Sequence, residues 1–390
     1  MVSARVCDVI EHKKWPRSIL AVAQVLLVLT LAMMPVAAFS QGSPTLPPPS
    51  KVAGPLSRNP DGSIATGRAP GRASLKVGPG QIYKSPSEAA AVAQDGDRIE
   101  IQPGRYTDCA VWKANDLVIE GIGPGVVIGN KSCAGKGIFV LEGDNTTVRN
   151  LTLTGASVPD ENGAGIRLDK GSLLVDRVKF INNQNGILGA SNPGAKVIIR
   201  DSDFEGNGFC GRACAHGIYI NVVDLLRVEH SRFIGTRQGH SIKSRALRTE
   251  VIDCSIADGP DGTSSYLIDA PNGGTLIVRG NSLEKGPHSE NHRTAIAIGE
   301  EGVSHPTPKI LITNNNFRND GNYQTALIWN KTTTTAVLSG NKLSGRAVLT
   351  VAPDSGGQPA GTTPNLSGAA SPSQADRNQS APKRGGAEAR

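Results

Sequence analysis

Six basic side chains crowd the stretch between Leu225 and Glu250, namely Arg227, Arg232, Arg237, Lys243, Arg245 and Arg248, opposed there only by Glu229 and Glu250. The residues that follow reverse the sign with Asp253, Asp258, Asp261 and Asp269. A cationic strip beside an acidic one holds the groups that elimination next to a carboxylate needs: a cation to neutralise the carboxylate, a base for the proton, and an acid for the departing oxygen. The run His240-Ser241-Ile242-Lys243-Ser244-Arg245 carries several of these residue types within six positions. His216 and His240 each stand two residues ahead of an isoleucine, Ile218 and Ile242, so they occupy matching places in two copies of one local pattern.

That pattern belongs to a repeat. A frame of apolar, two spacers, a fourth position that is Asn, Ser or Cys in the last six copies, spacer and apolar recurs at 148–153, 175–180, 199–204, 228–233, 251–256, 278–283, 312–317 and 338–343, with starts 23 to 34 residues apart. Variable spacing around an intact frame means rungs of equal geometry joined by loops of unequal length. The polar position reads Ser202, Ser231, Cys254, Asn281, Asn315 and Asn341, a column whose side chains are expected to hydrogen-bond from rung to rung inside a solenoid. The last frame position gives a second column of Phe180, Phe204, Phe233, Ile256, Leu283, Phe317 and Leu343. A second strand precedes most frames, as at 165–168, 186–188, 217–220, 241–244, 295–298 and 326–329.

Composition agrees with a turning, sheet-built chain. The 390 residues include 46 glycines and only 4 % aromatics, which disfavours helices. Of the net charge of +7, the flanks 1–70 and 352–390 carry +5, leaving +2 on 71–351. A nearly neutral domain has no electrostatic footprint for nucleic acid, and no nucleic-acid motif is present. Lys13, Lys14 and Arg17 precede an apolar run from Ile19 to Met34 and a small-residue stretch, so residues 1–40 read as a secretory signal, either cleaved or retained as an anchor. Residues 41–71 and 353–390 read as disordered flanks around one domain at 72–352, expected to be periplasmic or secreted, monomeric, and without a membrane span once the signal is cut.

Ahead of the repeats, a short helix is expected over 85–93, with Ser85 or Ser87 as its cap, closing the open end of the solenoid. This cap plus about eight rungs resembles the right-handed parallel β-helix superfamily of pectate lyases and related carbohydrate-active proteins, over about 280 of 390 residues. The resemblance implies an all-β solenoid whose chemistry lies on outward side chains of one sheet. With Ile166, Ile187, Ile218 and Ile242 as inward equivalents, Arg167, Leu188, Tyr219 and Lys243 point outward, with Asn221 and Arg245 two residues beyond the last pair. The expected site is therefore Lys243 as base, Arg245 as acid or carboxylate clamp, and Tyr219, His240 or His216 assisting. Asn221, Arg248, Arg237 and Tyr266 are expected to bind substrate. Superfamily lyases often hold Ca²⁺ on carboxylates, which here would be Asp261 and Asp269. The Asn-Thr-Asp and Asp-Asp motifs of polygalacturonases, the Gln/Asp/Asp set of pectin esterases and the Asp-Pro-His-Asp motif of mannuronan epimerases are missing. The implied function is action on an acidic polysaccharide by a lyase, or glycan binding without catalysis.

Two readings concern cysteine and solvation. Cys109 and Cys133 are 24 residues apart, about one rung, and either bridge adjacent turns or remain buried thiols; Cys210 and Cys214 could close a tight loop; Cys254 stands unpaired in the ladder column. Lys243 is expected to be solvated, so that its removal changes stability by under about 0.5 kcal/mol.

Overall fold

The structure, a computed structural model, describes residues 72–351 and the short strand Thr362–Pro364. The signal segment, the whole 41–71 flank and most of the C-terminal tail lie outside the described residues. The chain winds through three parallel sheets of twelve, ten and ten strands, each turn contributing one strand to each sheet. One helix, Pro86–Ala90, covers the start; it is shorter than expected, with Ser85 as N-cap making no side-chain cap bond and Asp108 accepting the Ser87 amide at 2.8 Å instead.

Both ends of the apolar frame stack as columns. Val148, Val175, Ile199, Val228, Val251, Val278, Ile312 and Leu338 are register partners in the first sheet. The closing positions, from Leu153 to Leu343, partner one another in the third sheet. Phe180, Phe204 and Phe233 stack with centroids 4.6 and 4.4 Å apart, close to the strand spacing, so one aromatic per rung fills the interior without a void.

Between the two columns the backbone turns, and the polar ladder carries the turn. Asn281 Nδ2 donates to Asn315 Oδ1 at 2.9 Å, and Asn315 Nδ2 donates to Asn341 Oδ1 at 3.0 Å. The main-chain amides of Asn281 and Asn315 donate to the same two oxygens and that of Cys254 to Asn281 Oδ1, which satisfies buried N–H groups that no sheet can reach. The residue just before the ladder position adopts positive φ in every rung: Asn150, Arg177, Asp201, His230, Asp253, Gly280, Asn314 and Gly340. This left-handed residue makes the bend.

The second sheet carries an isoleucine column, Ile166, Ile187, Ile218, Ile242, Ile268, Ile296 and Ile328, all at 0 % exposure. Its strands near the basic strip are β1 (Ile218–Ile220), β2 (Ile242–Ser244), β3 (Ile268–Ala270), β4 (Thr294–Ile298) and β5 (Thr325–Asn330). Disulfides join Cys109 to Cys133, with Cα atoms 5.5 Å apart, and Cys210 to Cys214. Cys254 is free and buried in the ladder. No helix among the described residues is long and apolar enough to cross a membrane.

Candidate active site

Alternation along β1–β3 turns the neighbours of the buried isoleucines to the outer face, and strand pairing aligns Tyr219 with Lys243 and Lys243 with Asp269. Asp269 thus falls in the same outward column, a placement the sequence left ambiguous by one residue. Arg245, just past β2, folds back so that Nε donates to Tyr219 Oη at 3.0 Å. The Lys243 ammonium and the Arg245 guanidinium both lie over the Tyr219 ring, 5.7 and 5.8 Å from its centroid.

A loop after β4 completes the cluster. Gly299 and Gly302 both have positive φ and bracket Glu300 and Glu301. The Glu301 amide donates to Pro271 O, and the amides of Ser304 and His305 donate to Asn272 O, fastening this loop to the turn after β3. Glu301 is thereby laid across the basic pair: Lys243 Nζ donates to Oε1 at 2.6 Å and Arg245 Nη2 donates to Oε2 at 2.5 Å. Arg245 also donates to Asn272 Oδ1. Lys243 does point outward, but it is only 8 % exposed. The expectation of a solvated lysine is corrected: two carboxylates enclose its ammonium.

Asp269 Oδ2 lies 3.3 Å from both Lys243 Nζ and His240 Nε2, and both carboxyl oxygens are buried. Burial first, and then the neighbouring Glu300 carboxylate, hold its pKa well above the usual carboxylate range, against the pull of Lys243. Burial also acts to raise Glu301, but Lys243 and Arg245 outweigh it and hold that carboxyl below its ordinary value. Burial opposes the charge on Lys243, and Asp269 with Glu301 more than offsets it, so the amine titrates above its ordinary value. Two carboxyls thus have environments that push their protons in opposite directions, the usual mark of an acid and base pair.

His216 and His240 sit just ahead of β1 and β2. His216 Nδ1 accepts the His240 amide at 2.9 Å, and His240 Nδ1 accepts the Tyr266 amide at 3.1 Å. The three rings form a stack, with centroids 4.9 and 5.0 Å apart. An Nδ1 that accepts a main-chain N–H leaves the proton on Nε2, so each imidazole is fixed as a neutral donor. Burial first, then the Lys243 and Arg245 charges, push His216 down to about 3. Burial, followed by His216, Lys243 and Lys285, holds His240 well below its ordinary value.

The other expected residues are dispersed. Asn221 donates its amide to Gly189 O at 2.9 Å, a rung-to-rung bond at the strand exit. Arg248 lies in the first sheet, paired with Glu250. Arg237 is exposed in the turn before His240, its amide bound to Asn207 O. Asp261 is exposed in the turn after Asp258 and does not join Asp269. Among the described residues the carboxylates grouped closely enough for a cation are Asp269, Glu300 and Glu301, within 4.8 Å of one another. The Lys243 ammonium already sits against two of these three, and Arg245 takes the second Glu301 oxygen. That leaves too few free oxygens for Ca²⁺, which takes six to eight, so this set does not fit a resident calcium ion. Glu300, Glu301 and Asn272 escaped the sequence reading; the bracketing of two acids by Gly299 and Gly302 was the available signal.

A family model described as "Right handed beta helix region" matches residues 81–217. No curated protein matches the sequence. Similar solved structures include pectate lyase Pel9A (12 % identity, 73 % of this chain and 80 % of that one, TM-score 0.37). A pectin methylesterase in complex with a hexasaccharide is also similar (13 % identity, 70 % and 80 %, TM-score 0.32). A third is the tailspike protein gp49 from Acinetobacter baumannii bacteriophage Fri1, a capsular polysaccharide depolymerase (12 % identity, 73 % and 63 %, TM-score 0.34). With three parallel sheets coiled around one ladder-lined core, the chain has a parallel β-helix fold, and its residues 81–217 are similar to the right-handed β-helix family.

Proposed function

We propose that the chain is an exported carbohydrate-active β-helix protein that binds an acidic, uronate-containing polysaccharide and cleaves it by β-elimination. One observation carries this reading: Lys243 and Arg245 are spaced to hold the two oxygens of a single carboxylate, and in this structure that carboxylate is Glu301. An incoming uronate carboxylate takes the place of Glu301 on the two cations. Charge neutralisation there acidifies the adjacent C5 proton.

Lys243, expected from sequence to be the base, suits the clamp role better, because its amine is held protonated. Glu301, released from its ion pairs, is the base that takes the C5 proton. The C5–H electron pair forms the C4=C5 double bond, the C4–O4 bond breaks, and Asp269, whose burial favours the protonated form, gives a proton to O4. His216 and His240 act as fixed neutral donors, and no step is routed through calcium. The two disulfides support an oxidising compartment and hence export.

Burial of both Asp269 oxygens favours a second reading, binding without cleavage, since the loop over β3 must move before a sugar reaches that group. Incubating the purified protein with galacturonate, mannuronate and guluronate polymers separates the two. Growth of unsaturated-sugar absorbance supports the lyase; binding with no new absorbance on any polymer supports the second reading.

A further inference from the structure

The outward column that carries Lys243 and Asp269 continues through Ala297 on β4 to Trp329 on β5. Trp329 therefore stands three rungs from Lys243, about 14 Å at the spacing of neighbouring strands. Asp269 and Ala297 between them are wholly buried, so the two ends are joined by a covered stretch of the column. Of the three tryptophans, Trp112 is wholly buried, whereas Trp329 is half-exposed. Two cations lie over its ring: the Arg293 guanidinium, 4.0 Å from the centroid, and Lys331 Nζ at 5.1 Å. Both are exposed, and one comes from the segment before β4 while the other follows β5.

A guanidinium lying against an aromatic face is positioned by the ring. The ring itself offers an apolar surface to the C–H face of a pyranose. The Arg293 charge is also felt at Tyr266, which stacks on His240.

We propose that Trp329, Arg293 and Lys331 form a second sugar subsite, which takes a further acidic residue of the same glycan whose uronate is held by Lys243 and Arg245. This deepens the function proposed above and rests on it. The glycan runs along the sheet, across the strands, its intervening units passing over whatever covers Asp269 and Ala297. The subsite takes no part in bond cleavage; it contributes affinity that grows with chain length.

The test is calorimetric titration with uronate dimers and with long uronate oligomers of the galacturonate, mannuronate and guluronate series, on wild type, Trp329→Phe, Trp329→Ala and Arg293→Gln. Tryptophan fluorescence is followed in parallel. Expected for wild type is tighter binding of the long oligomer and a change in tryptophan emission that is absent in Trp329→Phe. Trp329→Ala and Arg293→Gln should each weaken the long oligomer about tenfold while leaving the dimer unchanged. Arg293→Gln, an exposed change, guards against a Trp329→Ala variant that fails to fold. Wild type that gains affinity with length while all variants retain it overturns the subsite and leaves the central clamp standing. Wild type that binds no uronate oligomer of any length overturns both.

Discussion

Lys243 Nζ lies 2.6 Å from Glu301 Oε1, although 58 residues separate the two in the chain. The ion pair joins β2 to the loop after β4, and it places a carboxylate of the protein where a carboxylate of the substrate is proposed to sit. One consequence is a split between binding and turnover. Glu301→Gln removes the competing charge from Lys243 and Arg245 and also removes the proposed base. Binding of uronate oligomers should tighten several-fold, while the rate of unsaturated product falls by about 10²- to 10⁴-fold. Titration calorimetry beside a steady-state absorbance assay measures both.

Stability should depend on the same pair. Lys243→Met deletes a nearly buried cation and leaves Asp269 and Glu301 close together without it. Removing one partner of a buried ion pair costs about 3 kcal/mol. Denaturant titration at pH 8 should show a loss of that size, and a smaller one at pH 5, where the carboxyls can take up protons. A variant as stable as wild type at both values would mean that the ammonium is solvated after all.

The imidazole stack sets an acid limit. His216 has a folded pKa of about 3, against an ordinary value of 6.5, and His240 is shifted in the same direction. Between those values the unfolded chain binds protons that the folded chain refuses, so the histidines' stabilising contribution is complete above pH 6.5 and declines as pH falls toward 3. Asp269, whose pKa is raised, opposes this trend. The histidine contribution is therefore read as a difference: in His216→Asn, the fall in unfolding free energy between pH 6.5 and pH 4.5 should be shallower than in wild type, by about one proton of linkage.

Much of this fold was legible because stacking repeats a requirement. Each rung needs an apolar residue where the first sheet faces the core and another where the third sheet does, and the frame 228–233 or 278–283 shows both. The left-handed bend position was equally regular, but Arg177 and His230 hide its Asn, Asp and Gly character. The site was half legible. Tyr219, Lys243 and Arg245 follow from strand alternation alone. Asp269 was uncertain because β3 has only three residues before Pro271, too short to show a period of two. Glu301 was out of reach because its contact with Lys243 is made by a loop of another turn, and register along a strand carries no information about where such a loop lies.

The free cysteine offers a test of the ladder. Cys254 Sγ donates to Ile252 O at 3.3 Å and is buried among the rungs, and burial pushes its thiol up to about 12. Alkylation of the native protein at pH 8 should follow the rate of global unfolding, rising with denaturant in step with the folded fraction lost. Rapid native-state alkylation would place Cys254 outside the column.

The central claim is that Lys243 and Arg245 exist to hold a carboxylate of a polysaccharide. The most direct measurement compares binding of one uronate polymer before and after its carboxylates are chemically reduced to alcohols, with Arg245→Gln as the matched variant. Binding to the native polymer, its loss on carboxyl reduction, and a comparable loss in Arg245→Gln are predicted. Equal affinity for native and reduced polymer, unaffected by Arg245→Gln, would contradict the account.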